Sequence, residues 1–311
     1  MCDVSIIIPT YNRLWCLPIA IESCRNSDCK TEIIVVDDGS TDGTWDWLSQ
    51  QKDVISIKQK NQGQTYAANA GTALAKGKYI RFLDSDDFLE LGIIDKQFIA
   101  AELENADLVY SKVDSFDFET KTVKKYPEIN KWRDFVEVQL SNQYGSHYLG
   151  MLFKTDLVKK TPRRADFALR DDRMFLLEYA LLNPTISFVA GCAGYWVVHR
   201  NQMQANYNGL KAQVANYQSL KIFKTILSAL EQKGDLTLAR KKAACSSLWP
   251  LATWIAKNHK QEGLNVYKWI LELYPEFKIP EKSFLGLCYN IFGFALTQHL
   301  LSLRRNLKSL I

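Results

Sequence analysis

Three short clusters hold the side chains most able to do chemistry. They are Pro9-Thr10-Tyr11-Asn12-Arg13, Asp37-Asp38-Gly39-Ser40 and Asp84-Ser85-Asp86-Asp87. Carboxylates grouped in this way suit hard divalent cations, which take oxygen ligands. A lone acidic pair after a strand is more often a helix cap or a solvated turn. Here, however, each cluster closes an apolar run. Parallel strands would deliver all three to one sheet edge, which is where open α/β sheets bind ligands.

The elements behind the clusters can be read from hydrophobic patterning. Residues 4–8 are an apolar run stopped by Pro9, and a helical pattern follows with Leu17, Ile21 and Cys24 on one face. Pro18 falls in its first turn, where proline is tolerated. Residues 32–36 form a second strand, 44–51 a helix, 55–57 a short strand, 61–76 an Ala-rich segment that is helical after Gly63, and 79–83 a strand. Residues 93–103 read as a helix and 107–110 as a strand, followed by a hairpin over 113–125. Strands at 150–154 and 186–199 flank a helix over 173–182. Apolar strands without alternation, interleaved with helices, imply an α/β domain with a mainly parallel sheet buried on both faces. From about residue 208 helical periodicity takes over, in segments 210–233, 236–257, 262–274 and 283–308. The division expected is an α/β domain over 1–207 and a helical region over 208–311.

Composition narrows the function. The net charge is only +5 and Lys and Arg are scattered, which argues against nucleic-acid binding. The seven cysteines include no CxxC pair, so reduced thiols in a cytoplasmic protein are expected, without a zinc site. The segment before Val4 lacks the pattern of a secretory leader. No Gly-rich dinucleotide fingerprint, no GxxxxGK[ST] and no GxSxG occurs.

The motifs 5-SIIIPTYNR-13, 34-IVVDDGSTD-42 and 82-FLDSDD-87, with Asn61-Gln62-Gly63, Ala67, Ala68 and Asn69 between them, closely resemble the family 2 glycosyltransferases of GT-A fold. The likeness covers roughly residues 4–200. It implies a Rossmann-like GT-A domain and inverting transfer of a sugar from a nucleotide-diphosphate donor, most commonly UDP, to a glycan or lipid-linked acceptor in cell-surface polysaccharide synthesis. It also implies Mn²⁺ or Mg²⁺, which would neutralise the departing diphosphate as a Lewis acid. By the same analogy Asp86 is the direct metal ligand, and Asp84 reaches the ribose or a metal-bound water. Asp38 bonds the base, and Pro9, Thr10, Tyr11, Arg13, Asn69 and Ser85 complete the donor site. Arg13 either contacts phosphate or caps the sheet edge. Asp87 reads as a helix cap. The family's general base sits in a Glu-Asp pair opening a helix, and Asp171-Asp172 stands there in this chain. Asp172 is the candidate and Asp171 the alternative. His199 is either structural or a donor-site residue near the metal, with Arg200 as a possible phosphate partner. A sugar nucleotidyltransferase, or a non-catalytic nucleotide- or sugar-binding protein, is the alternative function.

Residues 283–303 contain no Asp, Glu, Lys or Arg, and Arg304, Arg305 and Lys308 follow. Three readings stand for this segment: a helix packed on the protein, an interfacial amphipathic helix in peripheral contact with the inner face of the cell membrane, or a membrane span. Trp249, Trp254 and Trp269 belong either to the same surface or to the core.

Overall fold

The apolar runs fold as a strand–helix alternation in which the strands are buried on both faces. A computed structural model describes residues 2–128, 131–141, 146–200, 202, 208–282 and 284–308. In chain order come β1 (Val4–Thr10), α1 (Leu17–Glu22), β2 (Thr31–Asp37), α2 (Thr44–Leu48), β3 (Val54–Lys58), α3 (Gln64–Leu74) and β4 (Tyr79–Phe82). Ile6, Ile7, Ile8, Ile34, Val35 and Val36 are completely buried. Pro18 does sit in the first turn of α1. Helix α3 lies close on the sheet because its buried face is Ala67, Ala68 and Gly71. A Cβ at Gly71 would stand 2.5 Å from Ile7 Cγ2.

Next come β5 (Phe88–Leu89), α4 (Ile93–Leu103), β6 (Leu108–Asp117), β7 (Thr122–Lys124), α5 (Phe135–Leu140), β8 (Met151–Lys154), α6 (Thr155–Val158), α7 (Asp171–Ala180) and β9 (Ile186–Val198). The sheet order is β3-β2-β1-β4-β8-β6-β9-β5, with β7 paired to β6. The half from β3 to β4 is wholly parallel, as patterning predicts. The other half is mixed, since β8 runs antiparallel to both β4 and β6, and β5 antiparallel to β9. A parallel return needs a crossover laid on the sheet. The connection into β8 carries only α5, which packs elsewhere. Strand β6 is also longer than the patterning suggests. It runs through the apparent break after Tyr110, where its pairing with β9 shifts register as at a bulge.

A second compact unit gathers residues 134–143 with 207–311. It contains α5 together with α8 (Gly209–Gln232), α9 (Leu238–Ala256), α10 (Lys260–Leu273) and α11 (Phe284–Lys308). Tyr207 and Ser283, where two of the expected boundaries fall, lie outside the described residues. Asp134 caps α5 by accepting from the Glu137 amide and forms an ion pair with Arg240 of α9 at 2.7 Å. Ser247 of α9 donates to the Leu140 carbonyl at 2.8 Å. Gly263 lets α10 approach α9, since a Cβ there would lie 2.5 Å from Ala256 Cβ.

Helix α11 is broken at Gly293, whose φ of 71° and ψ of 176° are not helical. Thr297 Oγ1 donates to the Cys288 carbonyl at 3.0 Å, and Gln298 Nε2 to the Tyr289 hydroxyl at 2.7 Å. Residues nine apart stand roughly 13 Å apart along a straight helix. The chain therefore doubles back into two arms, 284–292 and 294–308. By length and composition the segment 284–305 could cross a membrane, but its longer arm rises only about 22 Å against a hydrocarbon core of about 30 Å.

Candidate active site

Strand register brings the three clusters together. Thr10 pairs with Asp37 across β1 and β2, and Ile7 with Phe82 across β1 and β4. Pro9 is tolerated in a central strand because pairing with β4 has ended at Ile7. The loop after β1 is stitched to the loop after β2. Asn12, in the left-handed region at φ 52°, accepts from the Thr41 amide at 2.8 Å, and its own amide donates to Ser40 Oγ at 2.8 Å. Arg13 N–H donates to Thr44 Oγ1 at 3.1 Å. Gly39 has φ 81°, and a Cβ there would meet the Asn61 amide nitrogen at 3.0 Å.

Asp37 and Asp38 are both buried but differently employed. Asp37 accepts from the backbone amide and hydroxyl of Ser40 and so shapes the turn. Asp38 Oδ1 accepts from Gln59 Nε2 at 2.7 Å and the Gln62 amide at 2.9 Å, and its Oδ2 accepts from the Gly63 amide at 2.8 Å. A carboxylate has about four acceptor positions, so one is left over. Thr10 Oγ1 and Asp37 Oδ2 are buried with no hydrogen-bond partner among the described residues. Tyr11, by contrast, is 45% exposed.

At the end of β4, Asp84, Asp86 and Asp87 offer oxygens within 4.8 Å of one another. Ser85 between them is buried. Burial and then the neighbouring Asp86 push the pKa of Asp84 up to about 7. Burial, Asp84 and Asp86 likewise hold Asp87 well above the carboxylate range. Asp87 does not cap a helix. It precedes β5 and accepts from the Val197 amide of β9 at 2.8 Å, tying the acidic turn to that strand. His199 Nε2 lies 3.1 Å and Arg13 Nε 3.6 Å from Asp86 Oδ2. His199 is buried edge-on against Trp15, with centroids 5.0 Å apart. Arg200 is exposed and pairs with Glu119.

The two acids opening α7 also separate. Asp171 is buried and pairs with Arg163 Nη1 at 3.2 Å. Burial raises its pKa despite that partner. Asp172 is exposed, and its charge is felt by Asp84, His147 and Arg163. Sequence reasoning missed several of these partners. Gln64 Nε2 donates to Asp84 Oδ1 at 2.9 Å, and the Tyr148 hydroxyl also donates to Asp84. Buried Arg163 lies over Phe82 at 4.6 Å and over Tyr148 and Phe175 at 5.4 Å each. Asn69 brackets the Arg163 backbone, with Nδ2 donating to its carbonyl at 2.8 Å and Oδ1 accepting from its amide at 2.9 Å.

The donor set fits a divalent cation. Its atoms are carboxylate oxygens with one imidazole adjacent, and burial, with crowding added, has already raised two of the three carboxyls. A hard cation would relieve that repulsion.

A sheet of this order, flanked by helices and with an acidic turn at the tips of its parallel half, defines a GT-A fold. Residues 5–161 match the family model described as glycosyl transferase family 2, and the chain belongs to that family. It is 38% identical over 133 residues to an Escherichia coli protein, UDP-Glc:alpha-D-GlcNAc-diphosphoundecaprenol beta-1,3-glucosyltransferase WfaP; the match covers 41% of this chain and 53% of the relative. To the poly(ribitol-phosphate) beta-glucosyltransferase of Bacillus spizizenii it is 27% identical over 209 residues, covering 64% of this chain and 32% of that one. The chain thus spans about half the length of the first relative and about a third of the second. Among solved structures, S. aureus TarS 1-349 in complex with UDP aligns with a TM-score of 0.56 at 17% identity, covering 98% of this chain and 92% of that one.

Proposed function

We propose that the protein transfers a sugar from a UDP-sugar, with inversion, to a hydroxyl of a glycan or lipid-linked acceptor in cell-surface polysaccharide synthesis. What supports this reading is that β1, β2 and β4 run parallel and side by side up to the segments that carry Thr10, Asp38 and Asp84, and that the charge of Asp172 acts on Asp84. Family membership supports the reaction class. UDP is supported by the TarS complex and by the named donor of the E. coli relative. Both relatives' names describe β-glucosyl products, and from an α-linked sugar nucleotide that outcome means inversion. A lipid-linked acceptor, as in the E. coli relative's name, would place the protein at the inner face of the cell membrane.

In this reading residues 1–207 bind the donor and 208–311 help present the acceptor. Asp38 offers its remaining acceptor position to the base, beside Thr10 and Pro9, and exposed Tyr11 packs on the ring. Asp84 and Asp86 hold Mn²⁺ or Mg²⁺, with His199 beside Asp86. When bound, the cation supplies charge neutralisation for the departing diphosphate. Arg13 adds positive charge at the same carboxylate, and buried Ser85 keeps the two ligands in register. Asp172 takes the acceptor hydroxyl's proton as general base. It suits that role because it is exposed and has no ion pair among the described residues, whereas Asp171 is committed to Arg163. Asn69 acts by positioning the Arg163 segment.

The decisive experiment is a thermal-shift screen of nucleotide sugars with and without Mn²⁺, since a ligand of the folded state raises its apparent stability. A UDP-sugar should shift the wild type only with Mn²⁺ present, and Asp86→Asn should abolish that shift. Asp172→Asn should keep the shift and lose on the order of 10²- to 10⁴-fold in kcat. Full transfer by either variant would refute the assignment.

A further inference from the structure

The broken helix α11 leaves an apolar surface that its own unit does not cover. Tyr289, Phe294, Thr297 and Gln298 face inward and are buried, with the Trp249 ring of α9 5.1 Å from Tyr289 and 5.9 Å from Phe294. The opposite sides of both arms carry Phe284, Leu287 and Ile291, then Leu296, Leu300 and Leu303, all exposed, with Ile291 at 63%. Their spacing of three and four residues sets each group along one side of its arm. A monomeric soluble surface seldom leaves so many large apolar side chains together. Trp249, by contrast, belongs to the core, and Trp254 is exposed on α9.

Charge identifies the occupant. From residue 282 to 311 the sequence has no acidic residue and four basic ones, Lys282, Arg304, Arg305 and Lys308. Arg304 is exposed at the end of the apolar face. An apolar face with no acid in its own two arms and with Arg304 at its end complements acyl chains beneath anionic headgroups. The fold-back at Gly293 excludes a straight crossing and lays two short arms side by side, a shape suited to the interface plane.

We propose that the outward faces of the two α11 arms form an in-plane docking surface for an anionic bilayer, with Arg304 at the headgroups and Ile291 and Leu300 among the upper acyl chains. This assigns a surface to the membrane placement offered above, but it does not depend on sugar transfer. Vesicle binding can fail while transfer to a soluble acceptor persists, and the reverse is equally readable.

The test is flotation of the full chain with phosphatidylcholine vesicles, with or without a quarter of phosphatidylglycerol. The protein should float with the anionic vesicles and much less with the neutral ones, and added salt should release it. Ile291→Gln with Leu300→Gln should abolish flotation at unchanged melting temperature. Arg304→Ala, at an exposed position, should weaken anionic-vesicle binding about fivefold. The proposal is overturned if the wild type does not float or if both variants float like it. It is equally overturned if light scattering shows a dimer that Ile291→Gln dissociates without any vesicle binding, because a second copy would then be the occupant.

Discussion

Asp84 and Asp87 make the acidic turn sensitive to pH in the cation-free protein. Their carboxyls titrate above the ordinary value near 3.8 because they are buried and crowd one another. A group whose pKa is raised on folding contributes stability that is complete below its unfolded pKa and is lost as pH rises through the folded one. For Asp84 that window runs from about 4 to about 7. Without divalent cation, the wild type should therefore lose melting temperature relative to Asp84→Asn as pH rises across it. Added Mn²⁺ should restore more stability at the alkaline end than at the acid end, and parallel melting curves would contradict this. Arg163 makes a second prediction. Replacing it with Met would leave Asp171 buried without its partner, at a cost of about 3–5 kcal/mol in urea unfolding. Adding Asp171→Asn should recover part of that loss. At this scale the sequence was legible where acids cluster at strand ends, as at Asp38 and Asp84 to Asp87. It was opaque where the site is completed by isolated residues from distant segments. Tyr148, Arg163 and Gln64 carry no motif of their own, and only the packing of the turns before β8 and α7 and of the start of α3 puts them beside the acids. Asp87 misread for a related reason, because its partner is an amide of β9 more than a hundred residues away.

The elements themselves were mostly legible, because period and punctuation agree in the parallel half. The apolar runs of β1, β2 and β4 need burial on both faces, and α3 covers one of them through small residues. Gly71→Ala should accordingly cost about 1–3 kcal/mol by overpacking against Ile7, measured as a lower urea midpoint with an unchanged slope. The same substitution at exposed Gly234, whose φ is 67°, tests something different: a left-handed backbone that strains any side chain while meeting no neighbour. Where the reading of elements fell short, tertiary pairing was responsible. The register shift in β6 looked like a strand end, and α5 is only six residues long, five of them buried, too few to show a period. Gly293 was visible as a glycine within an apolar helix, but only its left-handed conformation makes it a reversal.

At the scale of the whole molecule, the chain does not divide cleanly in sequence. It leaves the α/β unit after Arg133, contributes α5 to the helical unit, and returns for β8, α7 and β9 before building the remaining helices. A truncation after residue 207 would keep the whole family-matched segment but strip α5 of its α9 partner. Phe135, Val136 and Leu140, all buried in the untruncated chain, would meet water. Such a fragment should elute as soluble aggregate in size-exclusion chromatography. The same routing governs the order of events on the ribosome. Asp134 emerges about a hundred residues before Arg240, which at 5–20 residues per second is a wait on the order of ten seconds. During that interval α5 is a nascent apolar hook hanging from a half-built sheet. The cell's holdase chaperones would have their natural grip there, and translation pauses before α9 is complete at Ala256 would lengthen the hook's exposure.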